Sequence, residues 1–88
     1  MEIEFDPAKA QANIRKHQVS FSHAEQALHD EHAITVDDPD SEGEQRFVAL
    51  GMDALGRILV VVYIPRGDRI RIISARKASP GEAEQYHA

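Results

Sequence analysis

The chain contains no cysteine, which excludes disulfide frameworks, thiolate nucleophiles and cysteine-based zinc sites. It also lacks any long apolar run. The longest, Ile58 to Ile64, is far too short to cross a bilayer. No stretch has the form of a secretory signal, so a soluble, cytoplasmic protein with no membrane partner is the expectation. No Gly-rich nucleotide loop, Ser-His-Asp arrangement or paired-carboxylate motif can be read from the sequence. What remains is 88 residues, 42% hydrophobic and 28% charged. That composition suits a folded domain. A chain of this size buries roughly 64% of its unfolded surface, enough for one two-layer core, so residues 1–88 read as a single domain.

Positive charge is scarce where the chain begins and ends. The net charge is −5, but residues 1–45 hold three basic and eleven acidic residues, whereas residues 46–77 hold seven basic and two acidic ones. After Ala78 there are two acids and no lysine or arginine. A uniformly acidic protein repels nucleic acid; a basic strip within one can still form an anion-binding face. The plainer reading is a set of solvated strand arginines.

Hydrophobic periodicity and turn chemistry order the elements β-α-α-β-β-β-β-α. Glu2-Ile3-Glu4-Phe5 alternates as a strand, and Asp6-Pro7 caps a helix running to about His17. Ser22-His23-Ala24-Glu25 has capping-box form and places a second helix from near Ser22 to about Leu28. Ala33 to Asp37 reads as a strand, followed by the loop Asp38 to Gly43. Strands at about 45–52, 57–64 and 69–75 follow, joined by short turns that suit antiparallel hairpins. Ser79-Pro80-Gly81-Glu82 opens a last helix reaching Tyr86. The fold class is α+β: an antiparallel sheet with helices packed mainly on one face.

Two metal-like patterns fail on inspection. Asp38-x-Asp40-x-Glu42-Gly43 begins like a calcium loop, but Ala49 stands where the bidentate glutamate belongs. His29-x-x-His32 is one residue short of the helical zinc spacing. Neither a metal nor a cofactor is expected. On the first helix, Lys9, Asn13, Lys16 and His17 share one face. That stripe suits phosphate binding with an imidazole near neutrality, or it is an ordinary wet face whose asparagine bonds locally. In the strands, Arg69 and Arg71 alternate with Ile70 and Ile72. Arg46, Arg57 and Arg66 flank neighbouring strands, and Arg76-Lys77 close the run. Guanidinium groups on a rigid sheet suit bidentate phosphate recognition.

Phe5-Asp6-Pro7-Ala8-Lys9, Asn13-Ile14-Arg15-Lys16-His17, Val19-Ser20-Phe21, Gly43-Glu44-Gln45-Arg46-Phe47 and Arg71 to Ala78 together resemble the BrnT family of ribonuclease toxins from type II toxin–antitoxin modules. The resemblance implies a RelE-like fold and RNA cleavage that inhibits translation. It also implies a BrnA-type ribbon-helix-helix antitoxin, in a complex that binds its own operator DNA. Family members usually carry basic residues after the position of Ala78; here Ser79 to Gln85 has none. For metal-independent cleavage the catalytic candidates are Arg46, Arg71 and Arg76 on the phosphate, with Glu44 and His17 as proton-transfer groups. Lys9, Lys16, Arg69 and Lys77 are candidates for binding RNA. The partner interface is expected to overlap or border the sheet around Arg46, Arg69, Arg71 and Arg76. The rival class is a protein-interaction or co-repressor module without catalysis.

Overall fold

Asp6 and Pro7 begin the first helix as their chemistry dictates. In the computed structural model, which describes residues 2–88, the Asp6 carboxylate accepts the Ala8 N–H at 2.8 Å, and Pro7 takes the first helical position. The resulting α1 (Pro7–His17) follows a short strand β1 (Glu2–Glu4). It ends at Gln18, whose backbone is left-handed at φ 60°. Glycine adopts that conformation without steric penalty. Gln18→Gly should therefore raise stability by about 0.5–1 kcal/mol, read as a higher melting temperature.

The second helix starts two residues earlier than its capping-box pattern suggests. Ser20, not Ser22, is the cap: its hydroxyl accepts the His23 N–H at 3.1 Å, and α2 spans Phe21–Leu28. Starting there puts Phe21, Ala24 and Ala27 on one buried face. Burial of the Phe21 ring favours Ser20, although Ser22 has the glutamate three residues on and Ser20 does not.

β2 (Ile34–Asp37), β3 (Phe47–Met52), β4 (Ile58–Arg66) and β5 (Arg69–Lys77) follow, then α3 (Pro80–His87). The sheet order is β1-β5-β4-β3-β2. The run from β5 to β2 is antiparallel, as the short turns require, but β1 joins β5 in parallel. The sheet is thus mixed, and the fold remains α+β. Gly67, at φ 62°, supplies the positive dihedral of the two-residue turn between Arg66 and Arg69.

One face of the sheet carries the core. Leu59, Val61, Ile72 and Ala75 pack against Val19, Phe21, Ala24 and Ala27, with Ile3, Ala10 and Leu28 at the margin. The approach is tight at Gly51, where an added Cβ would lie 2.1 Å from the Ala27 carbonyl oxygen. α1 and α2 cover this face. α3 lies against the other face: Glu82 and Gln85 stand over Val48, Leu50 and Val60. That helix buries no residue fully.

A bulge fixes which side chains share a face. Val62 pairs with Ser74 but Tyr63 pairs with Ile72, so β5 carries one extra residue, Ile73. Strict alternation would put Arg71 and Arg76, five residues apart, on opposite faces. The extra residue instead brings Arg76, opposite Val60, to the side of Arg71, opposite Ile64.

Candidate functional site

The face turned away from α1 and α2 carries Arg46, Arg66, Arg69, Arg71 and Arg76, and most of them meet carboxylates of this same chain. The parallel register of β1 sets Glu2 beside Arg69 and Glu4 beside Arg71. Arg69 Nε lies 3.0 Å from Glu2, and its Nη1 lies 3.8 Å from Glu4. Arg66 reaches Glu44 at 3.4 Å and Glu4 at 3.9 Å. Arg46 Nη2 reaches Asp38 at 3.2 Å and donates to the Asp40 carbonyl at 3.3 Å, while its Nε is buried without a partner. Among the described residues, Arg71 is the one arginine of this face with no carboxylate within ion-pair distance. Its charge is therefore available to an external anion.

Arg71 also stands beside a depression of mixed charge. A depression of about 440 Å³ is lined by Asp40, Glu42, Glu44, Arg46 and Ile64. Arg71 is the cross-strand partner of Ile64 and so projects beside it. Glu44, Arg46 and Arg71 thus come together at one end of the sheet face. Arg76 lies further along β5, opposite Val60 rather than Ile64, roughly 13 Å away by strand rise.

Arg76 is held by α3. Its two terminal nitrogens donate to Glu82 at 2.8 and 2.9 Å. Glu82 also accepts the Ser79 N–H, and the Ser79 hydroxyl accepts the Glu82 N–H, so the capping box is complete. The Arg76 guanidinium first, and the Ser79 N–H second, lower the Glu82 pKa from 4.5 to about 2. A second clasp joins the Tyr86 hydroxyl to Asp30. That bond holds the Asp30 carboxyl below its ordinary range, aided by the His32 and Met52 N–H groups, and raises the Tyr86 pKa.

Because both carboxyl pKa values are depressed, their stabilisation is present above the ordinary carboxylate pKa and is lost as pH falls. Hydrogen exchange of α3 amides, corrected for intrinsic rate, should accelerate between about pH 4.5 and pH 2. Glu82→Gln should remove much of that pH dependence and loosen α3 already at pH 7.

His17 lies elsewhere. With Lys9, Ala12, Asn13, Lys16, Ile73 and Ser74 it lines a groove of about 210 Å³ between α1 and the edge of β5. Glu44 lines the depression beside Arg46 and Ile64, not this groove. The stripe foreseen on α1 therefore exists, but its members divide in role. Among the described residues, Lys9, Lys16 and His17 have no close ion-pair partner, whereas Asn13 is only 6% exposed and serves the fold. Its amide donates to the Val19 and Ala75 carbonyls and accepts the Ala75 N–H. Lys77 pairs with Leu59 and is directed to the helix-bearing side.

Two acidic residues outside the candidate site prove structural. Asp53, 5% exposed, accepts from the N–H groups of Leu55 and Arg57 and from Arg57 Nε at 2.8 Å. Burial pushes its pKa up, but the bonds from Arg57 and Leu55 outweigh that effect and the net shift is downward. Asp30 ties the end of α2 to Met52 of β3 and to α3. Asp53 opens an Asp-x-x-Gly turn, a local signal of its role, whereas Asp30 stands out in the sequence only within the rejected His29-x-x-His32 pattern. Among the described residues, no cluster of three or more histidine or acidic side chains is arranged to hold a metal ion.

Comparison with known proteins agrees with this fold. The family model described as "Ribonuclease toxin, BrnT, of type II toxin-antitoxin system" matches residues 5–82. The crystal structure of the Brucella abortus ribonuclease toxin, BrnT, superposes with a TM-score of 0.66 at 32% identity, covering 90% of this chain and 97% of that one. No curated protein sequence matches significantly.

Proposed function

This chain belongs to the BrnT family of ribonuclease toxins of type II toxin–antitoxin systems, and from that premise we propose that it is a metal-independent endoribonuclease that inhibits translation by cleaving RNA. The observation that carries the site is Arg71: an uncompensated guanidinium on a rigid strand, beside a depression that also holds Arg46 and Glu44. In the reaction the ribose 2′-oxygen bonds to the adjacent phosphorus and the bond from phosphorus to the 5′-oxygen breaks. The products are a 2′,3′-cyclic phosphate and a 5′-hydroxyl. Arg71 and Arg46 bind the phosphate and stabilise the charge that builds on its oxygens. Glu44 takes the 2′-hydroxyl proton, and a proton from solvent reaches the leaving oxygen.

Of the two proton-transfer candidates, Glu44 is supported by sharing the depression with Arg46. His17, grouped with Lys9 and Lys16, is better placed to hold RNA as it passes the edge of β5. Arg69 and Lys77 add positive charge near that path. Arg76 contributes only when its pair with Glu82 opens. The protein acts in the cytoplasm, as substrate access requires; no helix is long and apolar enough to cross a membrane. Its partner is a BrnA-type ribbon-helix-helix antitoxin, and the complex binds operator DNA through that antitoxin.

A second reading has an observation in its favour. Four of the five sheet-face arginines already meet carboxylates, and the tail lacks cations, which weakens attraction to RNA. A member that has lost cleavage would act only as a binding and co-repressor module. Induction of the chain alone, and then together with a ribbon-helix-helix protein encoded beside it, separates the two. The ribonuclease reading expects growth arrest with fragmented RNA, relieved by the neighbour. Unchanged growth and intact RNA, with the two proteins still associating, would establish the co-repressor instead.

A further inference from the structure

On the same sheet face, towards β2, lies a surface that RNA chemistry leaves unused. Ile34, Val36, Val48, Leu50 and Val60 line an apolar groove of about 190 Å³, bounded by Glu82 and Gln85 of α3. Ile34 and Val36 are 39% and 56% exposed, and β2 is an edge strand with every residue exposed. Exposed apolar side chains beside an open strand edge mark an interaction surface. On the same face, β3 leads from Val48 to Arg46 and β4 from Val60 to Ile64, where Asp40, Glu42 and Glu44 line the larger depression.

We propose that this strip, apolar at β2 and acidic at the loop, is the seat of the protein antitoxin. The inference rests on the toxin–antitoxin reading and adds to it where the partner binds and with what chemistry. The occupant is a segment of the antitoxin carrying apolar side chains for the groove and lysine or arginine for Asp40 and Glu42. Three observations select it. The groove offers no cation and no aromatic ring, so neither phosphate nor a stacked base has a partner there. A second copy laid on this face with its strands running the same way would bring the acidic segment from Asp37 to Glu44 against itself. A segment filling both parts would lie across Arg46 and beside Arg71, excluding RNA by occupation rather than by distortion.

This placement also changes the grounds for expecting the interface near the arginines. Clustered, mutually repelling arginines do not demand a partner, because carboxylates of the chain already meet Arg46, Arg66, Arg69 and Arg76. The open apolar side chains do.

The test uses the alternation of β2. Val36 faces the groove with its neighbour Val48, whereas Thr35, also exposed, faces the other side. Titration calorimetry of the purified chain with the ribbon-helix-helix protein encoded beside it should show Val36→Asp binding at least about tenfold more weakly. Thr35→Asp should stay within about twofold. Glu42→Lys should weaken binding and flatten its salt dependence, which decides the matter should Val36→Asp lower the melting temperature. RNA cleavage by Val36→Asp alone should be unchanged.

Equal losses for Val36→Asp and Thr35→Asp, or none for Val36→Asp and Glu42→Lys, would overturn the docking surface while leaving the toxin reading intact. Absence of binding by the unsubstituted chain would overturn the partner reading and the surface together. A dimer of the chain alone that Val36→Asp dissociates would assign the face to a second copy and refute the proposal.

Discussion

Replacing Asn13 by alanine should lower the free energy of unfolding by about 2–4 kcal/mol and the melting temperature by roughly 10–25 °C. The side chain bridges α1 to two places at once. It donates to the Val19 carbonyl at 2.9 Å and to the Ala75 carbonyl at 2.8 Å, and it accepts the Ala75 N–H at 3.1 Å. β1 pairs only with residues 69–71 of β5, so beyond that point the edge of β5 needs another partner. Asn13 supplies one, presenting an amide to Ala75 as a neighbouring strand would. Alanine leaves buried backbone groups without partners, and those groups carry the full desolvation penalty. Aspartate would keep the acceptor but lose the donors and bury a charge, so it should not rescue. Ile14→Ala, at an exposed position on the same helix, should cost far less. Urea or thermal unfolding of the three variants decides it, and an Asn13→Ala protein within 0.5 kcal/mol of the original would refute this role.

That residue also shows how far the sequence could be read. Local chemistry announces itself: Asp6-Pro7 and the Ser79–Glu82 box cap helices as their side chains require, and short Gly-containing turns specify the hairpins. Long-range satisfaction does not. Nothing near Asn13 in the chain reveals that its partner is Ala75, 62 residues away. Nor does β1 reveal that it will lie parallel to β5, since that depends on which sheet edge the rest of the fold leaves open. The bulge at Ile73 has no glycine to mark it, yet it decides that Arg71 and Arg76 share a face. The arginine-rich strands were legible as an anion-binding candidate. Their neutralisation was not, because Glu2, Glu4, Glu44 and Glu82 approach them only through the fold.

The ion pairs sort the arginines by expected effect. Arg71→Ala should reduce RNA cleavage by about 10²–10³-fold, the range for removing one preorganised charge from a developing oxyanion. Stability should change by less than ~0.5 kcal/mol, because no paired carboxylate is stranded. Arg71→Lys should recover only part of the activity, since an ammonium cannot make the bidentate contact of the guanidinium. Arg69→Ala should fall only a few-fold: its charge already faces Glu2 and Glu4, and surface pairs of this kind contribute little to stability. His17→Ala should weaken RNA binding, seen as a raised KM, while leaving kcat largely intact, because His17 lines a groove apart from Glu44. Glu44→Gln should lower kcat instead.

Single-turnover cleavage of RNA by the purified chain, without antitoxin and with excess chelator, tests the central claim most directly when run beside Arg71→Ala. The account predicts fragments ending in 2′,3′-cyclic phosphate from the unsubstituted protein, and at least a hundredfold slower cleavage by an Arg71→Ala protein that melts at the same temperature. Cleavage abolished by the chelator, or an Arg71→Ala protein that cuts RNA at the original rate, would contradict it.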